Sequence, residues 1–300
     1  MGLISLYKGI KDIKQMKAEA DIVLEETIAN YPELTQEYER WRITHRINTT
    51  AYCAFIAGQF CKLEGKEFDE EKRKIAYLGS AAACISDDLI DKTTPIDIRE
   101  VYFLDTMNHQ AAKREDEQGL FYAFHSGLES LLPDDFKSRF DKLIGLYNQA
   151  QMWGRKLNWH PNHREITEIK NGTGGYPILI LYSIIFPESN DSTRDFIDFY
   201  VPQEMKMPET KAGAIFNYGA MISRADDLAD LELDKAEGRK SLATEGLVTW
   251  KSLEQDIKYA KKGLKKFYPE KTVDLAMNIY SAMTMHSISI ISKIYRWKKE

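Results

Sequence analysis

An all-α fold is predicted from three observations. Apolar residues recur with helical period along nearly the whole chain, and strand-like alternation is almost absent. Breaks at Tyr31-Pro32, Thr94-Pro95, Leu132-Pro133, His160-Pro161, Phe186-Pro187 and Tyr268-Pro269 cut that pattern into helix-length pieces. Two of the pieces contain a long stretch without charge and then end in a burst of aspartates.

Taken in order, the periodicity places helices at about 4–29, 34–63, 69–91, 97–110, 118–132, 135–158, 164–185, 192–206, 209–235, 247–267 and 270–296. The segment 34–63 reads as one helix, and so does 209–235. Between 164 and 185, the run Ile169-Lys170-Asn171-Gly172-Thr173-Gly174-Gly175-Tyr176-Pro177 is expected to break or kink the helix, freeing backbone groups there. No repeat of solenoid period, low-complexity linker or shift of composition divides the chain, so residues 1–300 are expected to form a single domain.

The bulk properties exclude several classes. Of 300 residues, 43% are hydrophobic and 29% charged, which is enough apolar material for a sizeable core. The net charge of −5 argues against nucleic acid as a partner. Cys53, Cys61 and Cys84 form no CxxC pair and read as free thiols in a reducing compartment. The longest apolar run, Tyr176–Phe186, is too short to be a transmembrane segment. The lysine-rich N-terminus lacks a secretory pattern, and Leu6 breaks the myristoylation motif after Gly2, so a cytoplasmic location is expected.

The uncharged stretches are residues 76–86, followed by Asp87, Asp88 and Asp91, and residues 212–223, followed by Arg224, Asp226, Asp227, Asp230 and Asp234. A surface helix carries charge along its outer face, so a helix uncharged all round is expected to be buried all round. Asp87 and Asp91 stand four residues apart; Asp226, Asp230 and Asp234 repeat that spacing twice. Like charges one turn apart repel, and burial raises the cost. A hard divalent cation relieves both: Mg²⁺ takes oxygen ligands and keeps places for water and phosphate. Two such helix ends facing one another would hold several ions around a diphosphate and neutralise a leaving group.

The pairing of Asp87-Asp88-Leu89-Ile90-Asp91 with Asp226-Asp227-Leu228-Ala229-Asp230, followed by Glu237-Gly238-Arg239-Lys240-Ser241-Leu242, resembles the class I isoprenoid synthase superfamily. That superfamily includes the trans-prenyltransferases, the squalene/phytoene synthases and the small bacterial terpene synthases. The resemblance is specific at the two clusters and spans helix order from about residue 40 onward. It implies a helical bundle around a deep apolar cavity, a prenyl diphosphate substrate and a homodimer. It also implies about three Mg²⁺ ions, with Mn²⁺ able to substitute. Asp87, Asp88 and Asp91 become catalytic metal ligands, joined by Asp226, Asp227, Asp230 and Asp234.

Diphosphate contacts are expected from Lys170, Arg224, Arg239 and Lys240, and from Tyr295 and Arg296 near the C-terminus. Arg239 and Lys240 sit in a loop that can close over the anion. In the resembling elongating enzymes the residues four and five places before the first aspartate form the cavity floor; here these are Ala83 and Ala82, expected to leave the cavity deep enough for a C20 or longer chain. Phe216 and Tyr218 are expected to face a carbocation.

The elongating synthases carry a Gly-Gly-Lys-Arg-like motif early in the chain and an Arg-Arg after the first aspartate motif. Here the corresponding segments read Trp41-Arg42-Ile43-Thr44-His45-Arg46 and Lys92-Thr93-Thr94-Pro95. Ionisation of one prenyl diphosphate, followed by cyclisation or elimination, is therefore the leading expectation. Head-to-head or chain-elongating prenyl transfer is the alternative. An all-α nucleotide pyrophosphohydrolase and a non-catalytic helical partner protein stand behind both.

Overall fold

A computed structural model describes residues 2–43, 47–92, 116–155, 162–188 and 208–277. Among these residues the regular structure is helical, with no strand. The elements are α1 (Gly2–Ile28), a 3₁₀ turn (Pro32–Leu34), α2 (Thr35–Trp41), α3 (Ile47–Leu63), α4 (Glu70–Lys92), α5 (Glu117–Glu129), α6 (Asp134–Arg155), α7 (His163–Ile185), α8 (Lys211–Ala229), α9 (Leu231–Glu237) and α10 (Trp250–Leu264). No described helix is long and apolar enough to cross a membrane. The expected helices at 97–110 and 192–206 lie outside the described residues, as does the expected helix at 270–296 beyond residue 277.

The chain forms two compact units. One comprises Lys11–Asp141 with Leu181–Glu188. Its core is aromatic at one end: Tyr38 stacks on Trp41 at 6.1 Å, and both lean on Phe124. Arg42, the C-cap of α2, fixes that end to α1 through Asp21 at 2.8 Å and Glu25 at 2.9 Å. α5 starts where Asp116 accepts the Gln118 and Gly119 N–H groups, an N-cap that satisfies donors the first turn leaves open. α4 packs against α3 and α5. The Tyr77 hydroxyl donates to Glu19 of α1 at 2.9 Å. Cys61 and Cys84 are buried and Cys53 is half-buried; none of the three is in a disulfide.

The other unit comprises Met1–Ile10, Lys142–Ile180 and Ser189–Glu300. Its centre is the contact of α7 with α8. A Cβ added at Gly174 would lie 2.6 Å from the Gly219 carbonyl oxygen, and one at Gly175 would enter the Phe216 ring. α8 begins at Thr210, whose hydroxyl accepts the Gly213 N–H, and α10 begins in a capping box between Thr249 and Ser252. α9 ends at Gly238 in the left-handed region, φ 66°, where a side chain would be strained.

Two sequence expectations change. The glycine-rich run does not break α7, which stays helical from His163 to Ile185 with Pro177 inside it. The glycines cost helix propensity, but they let two backbones approach where larger residues would hold them apart. Pro177 still withdraws the N–H that the Thr173 carbonyl would otherwise accept. The segment 209–235 is two helices meeting at Asp230, whose φ of −91° and ψ of 1° take it out of the helical region. Within the segment 34–63, α2 covers Thr35–Trp41 and α3 covers Ile47–Leu63, and residues 44–46 between them lie outside the described residues. The burial of the charge-free stretches is observed: residues 76–86 and 212–223 are all buried or half-buried.

Candidate functional site

α4 carries the first cluster in its last turns. Asp87 and Asp88 are half-buried; Asp91 lies in the final turn, and its side chain is outside the described residues. Along the uncharged stretch leading to them, Gly79, Ala83 and Asp87 keep partial exposure while the residues between them are buried. Four-residue spacing puts these three on one stripe, about 12 Å long at helical rise. The stripe meets a wall at Gly79, where a Cβ would lie 2.5 Å from Ile184 Cδ1. Ala82 is 4% exposed and packed into the core, so of the expected pair only Ala83 lies on the stripe. On α3, Cys53 is half-buried, and burial pushes its thiol up to about 11.

The second cluster is built at the α8–α9 junction. The turn at Asp230 keeps the backbone ladder, because Asp230 N–H donates to the Asp226 carbonyl at 2.9 Å and Asp234 N–H to the Asp230 carbonyl at 2.8 Å. The acids therefore still follow one another at one-turn steps. Asp226 is solvent-exposed, Asp230 half-buried, and Asp227 and Asp234 are buried. Crowding first, then the charges of Asp230 and Asp227, push the Asp226 carboxyl up to about 7 against the pull of Lys170. Asp226 thus combines dense surroundings with open access. Asp230 is raised for the same reasons, desolvation leading, with Arg239 and Lys170 opposing. Lys170, Arg239 and the four acids share one electrostatic neighbourhood.

Asp227 differs from its neighbour. Its Oδ1 accepts from Lys170 Nζ at 2.9 Å and its Oδ2 from the Leu242 N–H at 2.9 Å. Arg224 is drawn elsewhere. It donates from Nε and Nη2 to Asn171 Oδ1 and pairs through Nη1 with Asp256 Oδ2 at 3.0 Å. Lys240 is half-buried in the loop after α9. Phe216 packs on Gly175 and edge-on to Tyr176 at 5.2 Å, and it is 1% exposed, as a core residue is. Tyr218 is also buried. Tyr295 and Arg296 lie outside the described residues. Asn171, Asp256 and the Leu242 N–H were not singled out from sequence. Asn171 stood in the glycine-rich run, but Asp256 sits in an ordinary amphipathic helix that gives no signal.

Among the described residues no three or more His, Cys, Asp or Glu side chains form a ready-made metal cage. Mg²⁺ does not need one, since it commonly binds through one or two carboxylates and fills its octahedron with water and phosphate. The second cluster fits such an ion by its chemistry. Its donors are hard oxygens, and the Asp226 and Asp230 carboxyls are raised first by desolvation and then by the neighbouring acids.

No family model matches this chain, and no curated protein or solved structure matches it.

Proposed function

We propose that the protein is a Mg²⁺-dependent class I terpene synthase that ionises a prenyl diphosphate of C20 or longer and lets the resulting cation cyclise or lose a proton. The observation that carries this reading is the second cluster. A buried, charge-free helix ends in acids at one-turn steps, with Lys170 and Arg239 beside them. The same construction recurs in α4, where a small-residue stripe runs from Gly79 to Asp87.

Bound through these carboxylates, Mg²⁺ would supply Lewis-acid neutralisation of the departing diphosphate. The chain's own residues do the rest. Asp87, Asp88 and Asp91, with Asp226, Asp230 and Asp234, offer oxygen ligands. Lys170 and Arg239 balance charge beside the second row, and Lys240 lies in the same loop as Arg239. The stripe on α4 gives the prenyl tail an apolar surface without protruding side chains, and it is from such surfaces that water is excluded.

The test is direct. Incubation with geranylgeranyl diphosphate and Mg²⁺ should release hydrocarbon or a terpene alcohol extractable into hexane, together with inorganic diphosphate. Excess EDTA should abolish it. Nucleotide hydrolysis in place of that product would overturn the reading, and so would no turnover of any prenyl diphosphate from C10 to C35.

A further inference from the structure

Asp226 and Asp227 are adjacent and chemically identical, yet their surroundings are opposite. Asp226 is exposed, whereas Asp227 is 5% exposed with a hydrogen bond on each oxygen. The bond to Lys170 joins α8 to α7, and the bond to the Leu242 N–H joins α8 to the loop that follows α9. That loop is internally braced. The Ser241 N–H donates to Thr244 Oγ1 at 2.8 Å, the Leu247 N–H donates to the Leu242 carbonyl at 2.8 Å, and left-handed glycines at 238 and 246 bound it. A braced loop moves as a piece, so the point at which it is pinned decides where Arg239 and Lys240 stand.

We infer that Asp227 is a positioning residue rather than a metal ligand: through Leu242 it pins the Arg239–Lys240 loop to the acid-bearing helix, and through Lys170 it holds that cation beside the carboxylate row. The inference rests on the proposed function only for its consequence. The pin itself is a matter of hydrogen bonds. Asp227 is 5% exposed with a donor on each oxygen, so a metal ion would reach it only by opening that packing, and breaking a buried pair leaves an uncompensated charge.

Two measurements test it, neither needing a prenyl substrate. The first is hydrogen exchange at the Leu242 amide. Asp227→Ala should speed it at least tenfold, while Asp227→Asn, which keeps an acceptor oxygen, should stay within threefold of wild type. Unchanged exchange in Asp227→Ala overturns the pin. The second is Mn²⁺ affinity, read by electron paramagnetic resonance with inorganic diphosphate present. Asp227→Asn should bind within threefold of wild type, while Asp226→Asn should lose tenfold or more. Equal losses in the two variants overturn the inference and make Asp227 a ligand. Wild-type protein that binds no Mn²⁺ counts against the proposed function, and the exchange data then decide the pin alone. Should Asp227→Ala fail to fold, Lys170→Gln with Asp227→Asn removes the buried charge pair and keeps the amide acceptor; rapid Leu242 exchange in that variant overturns the pin.

Discussion

Gly174 of α7 and Gly219 of α8 touch backbone to backbone: a Cβ on Gly174 would lie 2.6 Å from the Gly219 carbonyl oxygen, and one on Gly219 would lie 2.9 Å from Ile178 Cβ. Neither neighbour is the free end of a flexible side chain, so the helices would have to part. Gly219→Ala is expected to destabilise the protein by about 1–3 kcal/mol, the usual range for overpacking. Gly127→Ala is the control, because a Cβ there meets Thr27 and Leu78 at ordinary contact distances. That substitution should stabilise α5 by roughly 0.5–1 kcal/mol through helix propensity. Denaturant midpoints of the two variants should move in opposite directions.

Removing Arg224 strands two groups at once. Its guanidinium pairs with Asp256, the two side chains being 14% and 16% exposed, and it also occupies Asn171 Oδ1. Asn171 Nδ2 is already buried without a partner, so the site has little polar satisfaction to lose. Arg224→Met should cost about 3 kcal/mol, the order expected when one member of a buried pair is removed. Adding Asp256→Asn should recover part of that loss, measurable by urea unfolding as a double-mutant cycle.

Asp226 should make stability depend on pH. Its carboxyl is pushed up to about 7 in the folded chain, against 3.8 for an ordinary aspartate. Between those values the folded state holds the proton more tightly than the unfolded state, so stability falls as pH rises through the window. Above it the full penalty of a charged Asp226 is present; below it the penalty is gone. Asp226→Asn, without metal, should therefore raise stability at pH 8 and leave it nearly unchanged at pH 4. After discounting for solvent screening at an exposed side chain the gain is on the order of 1 kcal/mol, or ~2–4 °C in Tm. Thermal scans in EDTA at the two pH values check it. Equal shifts at both pH values would refute this account of the cluster.

The two alanines before the first cluster should separate. Ala83 lies on the half-exposed stripe with Gly79 and Asp87, whereas Ala82 is buried. Ala83→Phe is expected to fold and to shift turnover from geranylgeranyl toward farnesyl diphosphate. Ala82→Phe overfills the core and should lower stability by about 1–3 kcal/mol. Turnover with C10, C15 and C20 substrates, beside the denaturation midpoint of each variant, distinguishes the two effects. An unchanged chain-length preference in Ala83→Phe would remove the stripe from the substrate's path.

Asp87→Ala and Asp88→Ala should each lower turnover at least a hundredfold with the helical circular dichroism intact, since half-buried acids at a helix end contribute little packing. Activity within threefold of wild type in both would sink the assignment of the first cluster.

The helical class, the burial of residues 76–86 and 212–223, and the acid clusters at their ends were legible in the sequence, because each follows from residue type and helical period along one segment. A charge-free helix has only one comfortable environment. What the tertiary structure decided is everything that depends on a second segment. The glycines at 172, 174 and 175 predict a broken or kinked helix when α7 is read alone. Opposite Gly219, Gly174 and Gly175 become a contact surface, and the packing gained there offsets the propensity lost. Arg224 reads as a diphosphate contact until Asn171 and Asp256 arrive from 53 and 32 residues away. Asp226 and Asp227 are the sharpest case. They are interchangeable in sequence, but successive side chains on a helix point about 100° apart. The placement of Lys170 and Leu242 leaves one carboxylate open to solvent and ties the other on both oxygens.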